Sequence, residues 1–122
     1  MKVLLGIGGS EDSLRALEKT VRRSIDAGDD LTIALVENPR SDMTVSELES
    51  RVEEVLSEYD FDADVGALSG HPGSELVDLA ETDGYEMIVL GGGETSPMGK
   101  ITMGQIAEFV LLNSHVSVKL VR

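Results

Sequence analysis

Cysteine is absent from this 122-residue chain, which excludes disulfides, thiol catalysis and cysteine-ligated zinc. Aromatic residues make up only 3%, so the core has to be built from Ala, Val, Leu, Ile and Met. That scarcity also argues against an aromatic platform for stacking single-stranded nucleic acid. The two histidines, His71 and His115, stand far apart without ligand-spaced partners, and no metal site is expected. No apolar run is long enough to span a bilayer, and Met1 and Lys2 lead into only a short apolar stretch. Neither a signal peptide nor a membrane span is therefore expected, and the default compartment is the cytoplasm.

Positive charge is also scarce. Ten Lys and Arg stand against 23 Asp and Glu, a formal net charge of −13. Such a field repels nucleic acid and anionic membranes, so neither is expected as a partner. Two readings of the acidity compete. One is an ordinary acidic soluble protein. The other is a protein of a salt-rich cytoplasm, as in a halophilic archaeon, where salt screens self-repulsion and an acidic surface stays hydrated. The low share of Lys among the basic residues leans toward the second.

What is present is enough apolar residue, 41%, for one core in one domain spanning residues 1–122. Residues 3–7 are apolar without alternation, as suits a strand buried on both faces. Ser10 offers an N-cap, with Glu11 and Asp12 in the first turn. Leu14, Leu17, Val21 and Ile25 mark one face of a helix that Gly28 closes. Leu31 to Val36 is the second buried run, broken at Asn38, Pro39 and Arg40. Thr44 and Glu47 have capping-box spacing ahead of Val45, Leu48, Val52, Val55 and Tyr59. Asp62 to Leu68 alternates, as a half-exposed edge strand does. His71 and Pro72 open a helix carrying Leu76, Leu79 and Ala80, closed by Asp83 and Gly84. Met87 to Leu90 is a compact strand, residues 91–104 a long glycine-rich loop, Ile106 to Leu111 a last helix and Val116 to Val121 a last strand. His115 falls in the turn before that strand, and the acidic stretch from Glu47 to Glu58 reads as a solvated face.

Strict alternation of about five strands and four helices, with right-handed crossovers, predicts an α/β fold: a doubly wound, open parallel five-stranded sheet with helices on both faces. Ligands of such sheets bind beyond the carboxyl ends of the strands, where the strand order reverses. The glycine-rich segments at 8–9 and 91–104 both follow strands and so fall on that side.

The run Gly91-Gly92-Gly93-Glu94-Thr95-Ser96-Pro97-Met98-Gly99-Lys100 carries the most chemistry. Glycines let backbone N–H groups converge on an anion, and the following helix, opened by Gly104 and Gln105, adds its positive end. An ordinary connection is the plainer reading, but the length favours function. The run is not a P-loop, because Glu94 stands where the first glycine belongs and Ile101, not Ser or Thr, follows Lys100. Nor is the first turn a dinucleotide fingerprint: Gly6-Ile7-Gly8 fits, but the third glycine position holds Glu11. Lys100 suits a phosphate contact and a solvated surface lysine equally.

The opening Val-Leu-Leu-Gly-Ile-Gly-Gly-Ser-Glu-Asp-Ser-Leu-Arg-Ala-Leu, Gly70 before a helix, Met87 to Gly91, Gly104 after the spaced loop, and Val110-Leu111-Leu112 before a valine-rich strand together resemble the universal stress protein family. The resemblance covers nearly the whole chain, with a shortened segment around 38–44. It implies the strand order 3-2-1-4-5 and a homodimer paired through the last strand. It also implies ATP or AMP as the ligand, held by Gly8, Val36, Gly91, Gly93, Ser96, Lys100, Gly104, Gln105 and Ile106. The family's nucleotide binders carry G-x-x-G, nine residues, then G-[ST]. Gly91 and Gly104 fit that pattern, whereas Glu94 takes the second glycine position, Gln105 the hydroxyl position, and Gly8 the place of an aspartate ending the first strand.

A carboxylate at Glu94 opposes a phosphate group at close range. The expected function is therefore a stress-response domain of nucleotide-binding type with a degenerate adenine-nucleotide pocket and no catalytic residues. A genuine ATP- or AMP-binding switch and a small nucleotidyl or phosphoryl transferase are the alternatives. The transferase is the weakest, since no general base or metal-ligand cluster is visible.

Overall fold

The structure, a computed structural model, describes residues 1–38, 41–92, 94–95, 101–102 and 104–122. Its elements, in chain order, are β1 (Lys2–Ile7), α1 (Glu11–Ala27), β2 (Asp30–Val36), α2 (Val45–Glu58), β3 (Asp64–Leu68), α3 (Pro72–Thr82), β4 (Met87–Gly91), β5 (Glu94–Thr95), β6 (Ile101–Thr102), α4 (Gln105–Asn113) and β7 (Ser117–Val121). Five of the strands form one sheet in the order β3-β2-β1-β4-β7, all pairs parallel. This is the doubly wound 3-2-1-4-5 order, β7 being the fifth strand of the sheet.

Successive side chains of a strand face opposite ways, and the apolar run of β1 serves two cores. Val3, Leu5 and Ile7 pack with Leu17 and Val21 of α1 and with Leu48, Val52 and Val55 of α2. Leu4 faces the other layer, with Leu76, Val77 and Ala80 of α3 and Val110 of α4. A strand covered on both faces needs no polar alternation, and β1, β2 and β4 show none. Register runs from Lys2 opposite Asp30 to Ile7 opposite Leu35, and from Met87 opposite Ser117 to Gly91 opposite Val121. The carboxyl ends of neighbouring strands therefore come level at one edge.

Local sequence fixes the helix ends. Thr44 and Glu47 form the full capping box of α2. Pro72 occupies the first turn of α3, and the His71 ring nitrogen Nδ1 accepts from Ser74 N–H at 3.1 Å. Gly28 closes α1 in the left-handed region, φ 71°, where a Cβ is disfavoured.

The structure corrects five local expectations. Ser10 stands at the N-cap of α1 without a side-chain cap bond; its hydroxyl donates to the Asp12 carboxylate. Ile25 is 45% exposed. The inward face of α1 is set by Ser13, Ala16, Leu17, Thr20, Val21 and Ser24, so Ser24 takes the last inward place. Leu111 is exposed on α4, whose buried residues are Ala107 and Val110. In β3 both faces are exposed from Asp64 to Ala67 rather than one, since its small side chains reach little of either helix layer. Finally, the stretch between β4 and α4 is not a plain loop. It contains an antiparallel pair, with Glu94 opposite Thr102 and Thr95 opposite Ile101. Thr95, Ile101 and Thr102 are β-branched and favour extended backbone, but strands of two residues are too short to show a period in sequence.

Candidate functional site

The chain leaves β1 toward β2 and β3, then returns to the other side of β1 to lay down β4 and β7. The order therefore reverses between β1 and β4, and the crevice beyond their carboxyl ends is the topological binding position. Gly8, Val36 and Gly91 lie at this edge, at the ends of β1, β2 and β4. Gly104 caps α4, and Gln105 and Ile106 begin it. Because α4 leads back to the start of a parallel strand, its N-terminus lies at the same edge. Gly93, Ser96 and Lys100 lie outside the described residues.

The β1–α1 turn is tightly enclosed. Gly9 has φ 89°, in the left-handed region, and a Cβ there would stand 2.6 Å from Ser41 Oγ and 3.1 Å from the Met43 Cβ. Both counts demand glycine. Its N–H donates to Ser13 Oγ at 3.1 Å, and Ser13 in turn donates to the Ser10 carbonyl at 2.8 Å. The turn is thus closed by a buried hydroxyl of α1. A Cβ on Gly8 would meet the Asn38 Cβ at 2.9 Å and Nδ2 at 3.3 Å. From the β2–α2 connection, Asn38 thus lies against the first glycine and Ser41 and Met43 against the second.

Gly91 has a packing reason of its own. A Cβ there would stand 2.7 Å from the Asp12 carbonyl carbon and 2.8 Å from Ser13 N, so the first turn of α1 rests directly on the end of β4. Beside it, Gly92 N–H donates to the Val121 carbonyl at 2.7 Å and extends the β4–β7 ladder by one bond. Gly104 differs from both. Its φ of −68° is ordinary, and no described atom lies within 4 Å of the Cβ position.

The four helix N-termini, all at this edge, divide into two kinds. Those of α2 and α3 are capped by the Thr44 and His71 side chains. Those of α1 and α4, which follow the strands flanking the reversal point or lead into the outer one, have no side-chain cap bond. First-turn N–H groups without intrahelical partners are anion donors, with the helix dipole behind them. Beside the crevice, Val36, Glu37, Asn38, Met43, Thr44, Val45 and Leu48 line a groove of about 370 Å³. Among the described residues no group of three or more His, Asp or Glu is placed to hold a metal ion. No helix among them is long and apolar enough to cross a membrane.

Sequence reasoning took Asn38 only for the end of a strand and missed that it lies against Gly8 and lines the groove. The usable signal was the pairing of a side-chain-free Gly8-Gly9 with an unusually short segment at 38–44. It also missed Asp12 and Ser13 as the partners of Gly91, a contact between residues far apart in the chain.

The fold defines the class: a doubly wound α/β domain with a crevice at the carboxyl ends of its central strands. The model of the universal stress protein family matches residues 1–122, and the chain belongs to that family. A curated relative, universal stress protein MJ0531 of Methanocaldococcus jannaschii, is 29% identical over 72 residues, covering 59% of this chain and 42% of that protein. The match thus spans less than half of that relative's length. Among solved structures, a universal stress protein from Archaeoglobus fulgidus superposes with a TM-score of 0.78 at 20% identity, covering 100% of this chain and 98% of the other. A universal stress protein in complex with cAMP superposes with a TM-score of 0.76 at 20% identity, covering 100% and 96%.

Proposed function

We propose that this chain is a stress-response domain that binds an adenine nucleotide weakly at the reversal-point crevice and does not turn it over. The observation that carries the reading is the contrast among the helix N-termini: α1 and α4 lack side-chain caps, while α2 and α3 have them. Uncapped N–H groups facing a shared crevice suit a phosphate. The structural relative solved with cAMP supplies the base type. In this reading Gly8, Val36 and Gly91 form the floor, and Gly93, Ser96, Lys100, Gly104, Gln105 and Ile106 surround the phosphates.

Affinity is limited by Glu94, which brings a carboxylate into the phosphate-facing segment, and by Gln105, which replaces a hydroxyl. Calorimetric titration with ATP and AMP at fixed high salt tests the reading, with weak binding and no hydrolysis expected. Glu94→Gly is expected to tighten binding on the order of tenfold, about 1.4 kcal/mol. Failure of both proteins to bind either nucleotide overturns the proposal.

We further propose that two copies pair through β7, an edge strand of the sheet. Val118 and Leu120 are half-buried on it, and Leu111 and Leu112 of the neighbouring α4 are exposed. Light scattering at micromolar concentration and high salt should give twice the chain mass; the mass of a single chain refutes pairing.

A further inference from the structure

We propose that the flank of α1 beside β7 docks an acidic helix of a partner protein. The docking surface is a stripe of Arg15, Lys19 and Arg22, widened by Arg23, Lys119 and Arg122. It lies on the helix layer rather than on the backbone edge of β7, and the inference does not depend on nucleotide binding.

Two observations lead to it. The first is placement. These positions hold six of the chain's 10 Lys and Arg. Lys19 Nζ donates to the Arg122 carbonyl, so this flank of α1 lies beside β7. Tyr59 donates to Glu18 Oε1 at 3.4 Å, so the opposite flank faces α2. Lys119 shares its face of β7 with Val121, which packs in the core beneath α1 and α2, whereas Val116, Val118 and Leu120 turn to the other layer. Residues 15, 19 and 22 are four and three apart and so fall on one stripe. The helical rise of about 1.5 Å per residue spreads them over about 10 Å. Lys119 is half-buried and the other five are exposed. The second observation is that the cations are unpaired. Among the described residues none of the six takes part in an ion pair, although the chain has 23 Asp and Glu. Glu11 and Glu18 precede Arg15 and Arg22 by four residues, the spacing of helical ion pairs, yet neither pair is closed. Arg15 with Lys19, and Lys19 with Arg23, are like charges at that same spacing, which weakens a helix. An anion from outside the chain offsets that repulsion.

Charge complementarity selects the occupant. Four of the six cations are Arg, whose guanidinium meets a carboxylate through two parallel N–H bonds. Carboxylates at positions i, i+4 and i+7 of a second helix repeat at the spacing of the stripe, so two helices laid side by side bring all three positions together. Nucleic acid fits less well. The formal charge of −13 repels a long polyanion, and no aromatic residue stands in the stripe to stack a base. Glu11, Glu18 and Asp26 are exposed on the same helix and border the stripe, so a duplex wider than it meets carboxylates. A second copy of this chain brings a further charge of −13, which a partner acidic along one helix does not.

The probe is a labelled, alanine-based helical peptide with Glu at i, i+4 and i+7. An isomer with the same Glu residues distributed around the helix serves as its control. Fluorescence anisotropy at about 0.1 M salt, where exposed charges still attract over about 10 Å, compares the wild type with Arg15→Gln/Arg22→Gln and with Arg51→Glu. The two variants change the net charge equally, but Arg51 lies on α2. Thermal melts verify that both fold. The wild type should bind the striped peptide more tightly than the isomer. Arg15→Gln/Arg22→Gln should weaken that binding about fivefold or more, and Arg51→Glu should leave it within about twofold. No binding by the wild type, equal binding of the isomer, or equal losses in the two variants overturns the proposal and leaves a solvated surface. Tighter binding of a DNA oligonucleotide than of the striped peptide overturns it in favour of nucleic acid. Self-association of the wild type at low salt that Arg15→Gln/Arg22→Gln abolishes overturns it in favour of a second copy of the chain.

Discussion

A Cβ placed on Gly91 would stand 2.7 Å from the Asp12 carbonyl carbon and 2.8 Å from Ser13 N, distances at which no methyl group fits. Backbone cannot rotate aside as a side chain can, so Gly91→Ala must push α1 away from the sheet. The expected cost is about 1–3 kcal/mol, as for other overpacked sites, read as a lower urea midpoint at unchanged slope. Any loss of nucleotide binding on substitution at Gly91 has to be measured on folded protein, because packing alone already requires this glycine. Gly73 makes a different case. Its nearest neighbour is the Phe109 ring, 2.5 Å from the Cβ position, and that ring also lies 4.7 Å from the ring of His71. A side chain can be trimmed. Gly73→Ala should destabilise by a similar amount, and Phe109→Leu should recover part of the loss. The two costs are then expected to be non-additive in a double-mutant cycle. Strict additivity would show that α3 and α4 are not in contact through this pair.

The helices bring the cap contrast within reach of measurement. Thr44→Ala and His71→Ala each remove an observed cap bond and should each cost about 1 kcal/mol in chemical denaturation. Ser10→Ala removes no cap bond and should stay within about 0.5 kcal/mol. Equal losses at all three positions would refute the division of the N-termini into capped and open. This division also marks how far sequence could be read. Thr44-x-x-Glu47 and His71-Pro72 are local signals, and they locate two helix starts correctly. The doubly buried runs at 3–7, 31–36 and 87–90 place three central strands, because a parallel sheet covered on both faces leaves no other use for them. What stayed hidden depends on distant partners. Ile25 looks like core by spacing, yet it is exposed while Ser13, Thr20 and Ser24 are buried on α1, polar residues that a hydrophobic pattern does not count. The β5–β6 pair is too short to show a period. Asn38 carries no signal except through the empty side-chain position it covers on another strand.

At the scale of the whole molecule the charge is one-sided and only thinly paired. Among the described residues, the ion pairs are the N-terminal amine with Asp29, Arg51 with Glu54, and His115 with Glu81 where the imidazole is protonated, against a formal charge of −13. None of the four helices has a basic residue in its last turn. In a parallel α/β fold those C-termini gather at the amino edge of the sheet, where Lys2 Nζ donates to the Asp83 carbonyl at the end of α3 and the N-terminal amine pairs with Asp29 beyond the end of α1, a partial offset of the negative dipole ends. Folding brings these charges closer than they are in an extended chain, and repulsion lowers native stability most where salt is low. The screening length shrinks from about 10 Å at 0.1 M to about 3 Å at 1 M. The melting temperature should therefore climb as potassium chloride is raised from low to molar concentration. Part of the effect can be assigned. Glu49 and Glu53 are exposed one turn apart on α2, a like-charge pair that destabilises a helix by a few tenths of a kcal/mol. Replacing Glu53 by Lys, which turns the pair into a favourable Glu-to-Lys pair, should raise the melting temperature at low salt and flatten its rise with salt. Neutral osmolytes, which favour compact states without screening charge, should leave the difference between the two proteins unchanged. A melting temperature that does not move across the salt range would show that the acidic surface exerts no net repulsion in the native state. A rise of equal steepness in wild type and the Glu53→Lys variant would place the responsible charges elsewhere than this pair on α2.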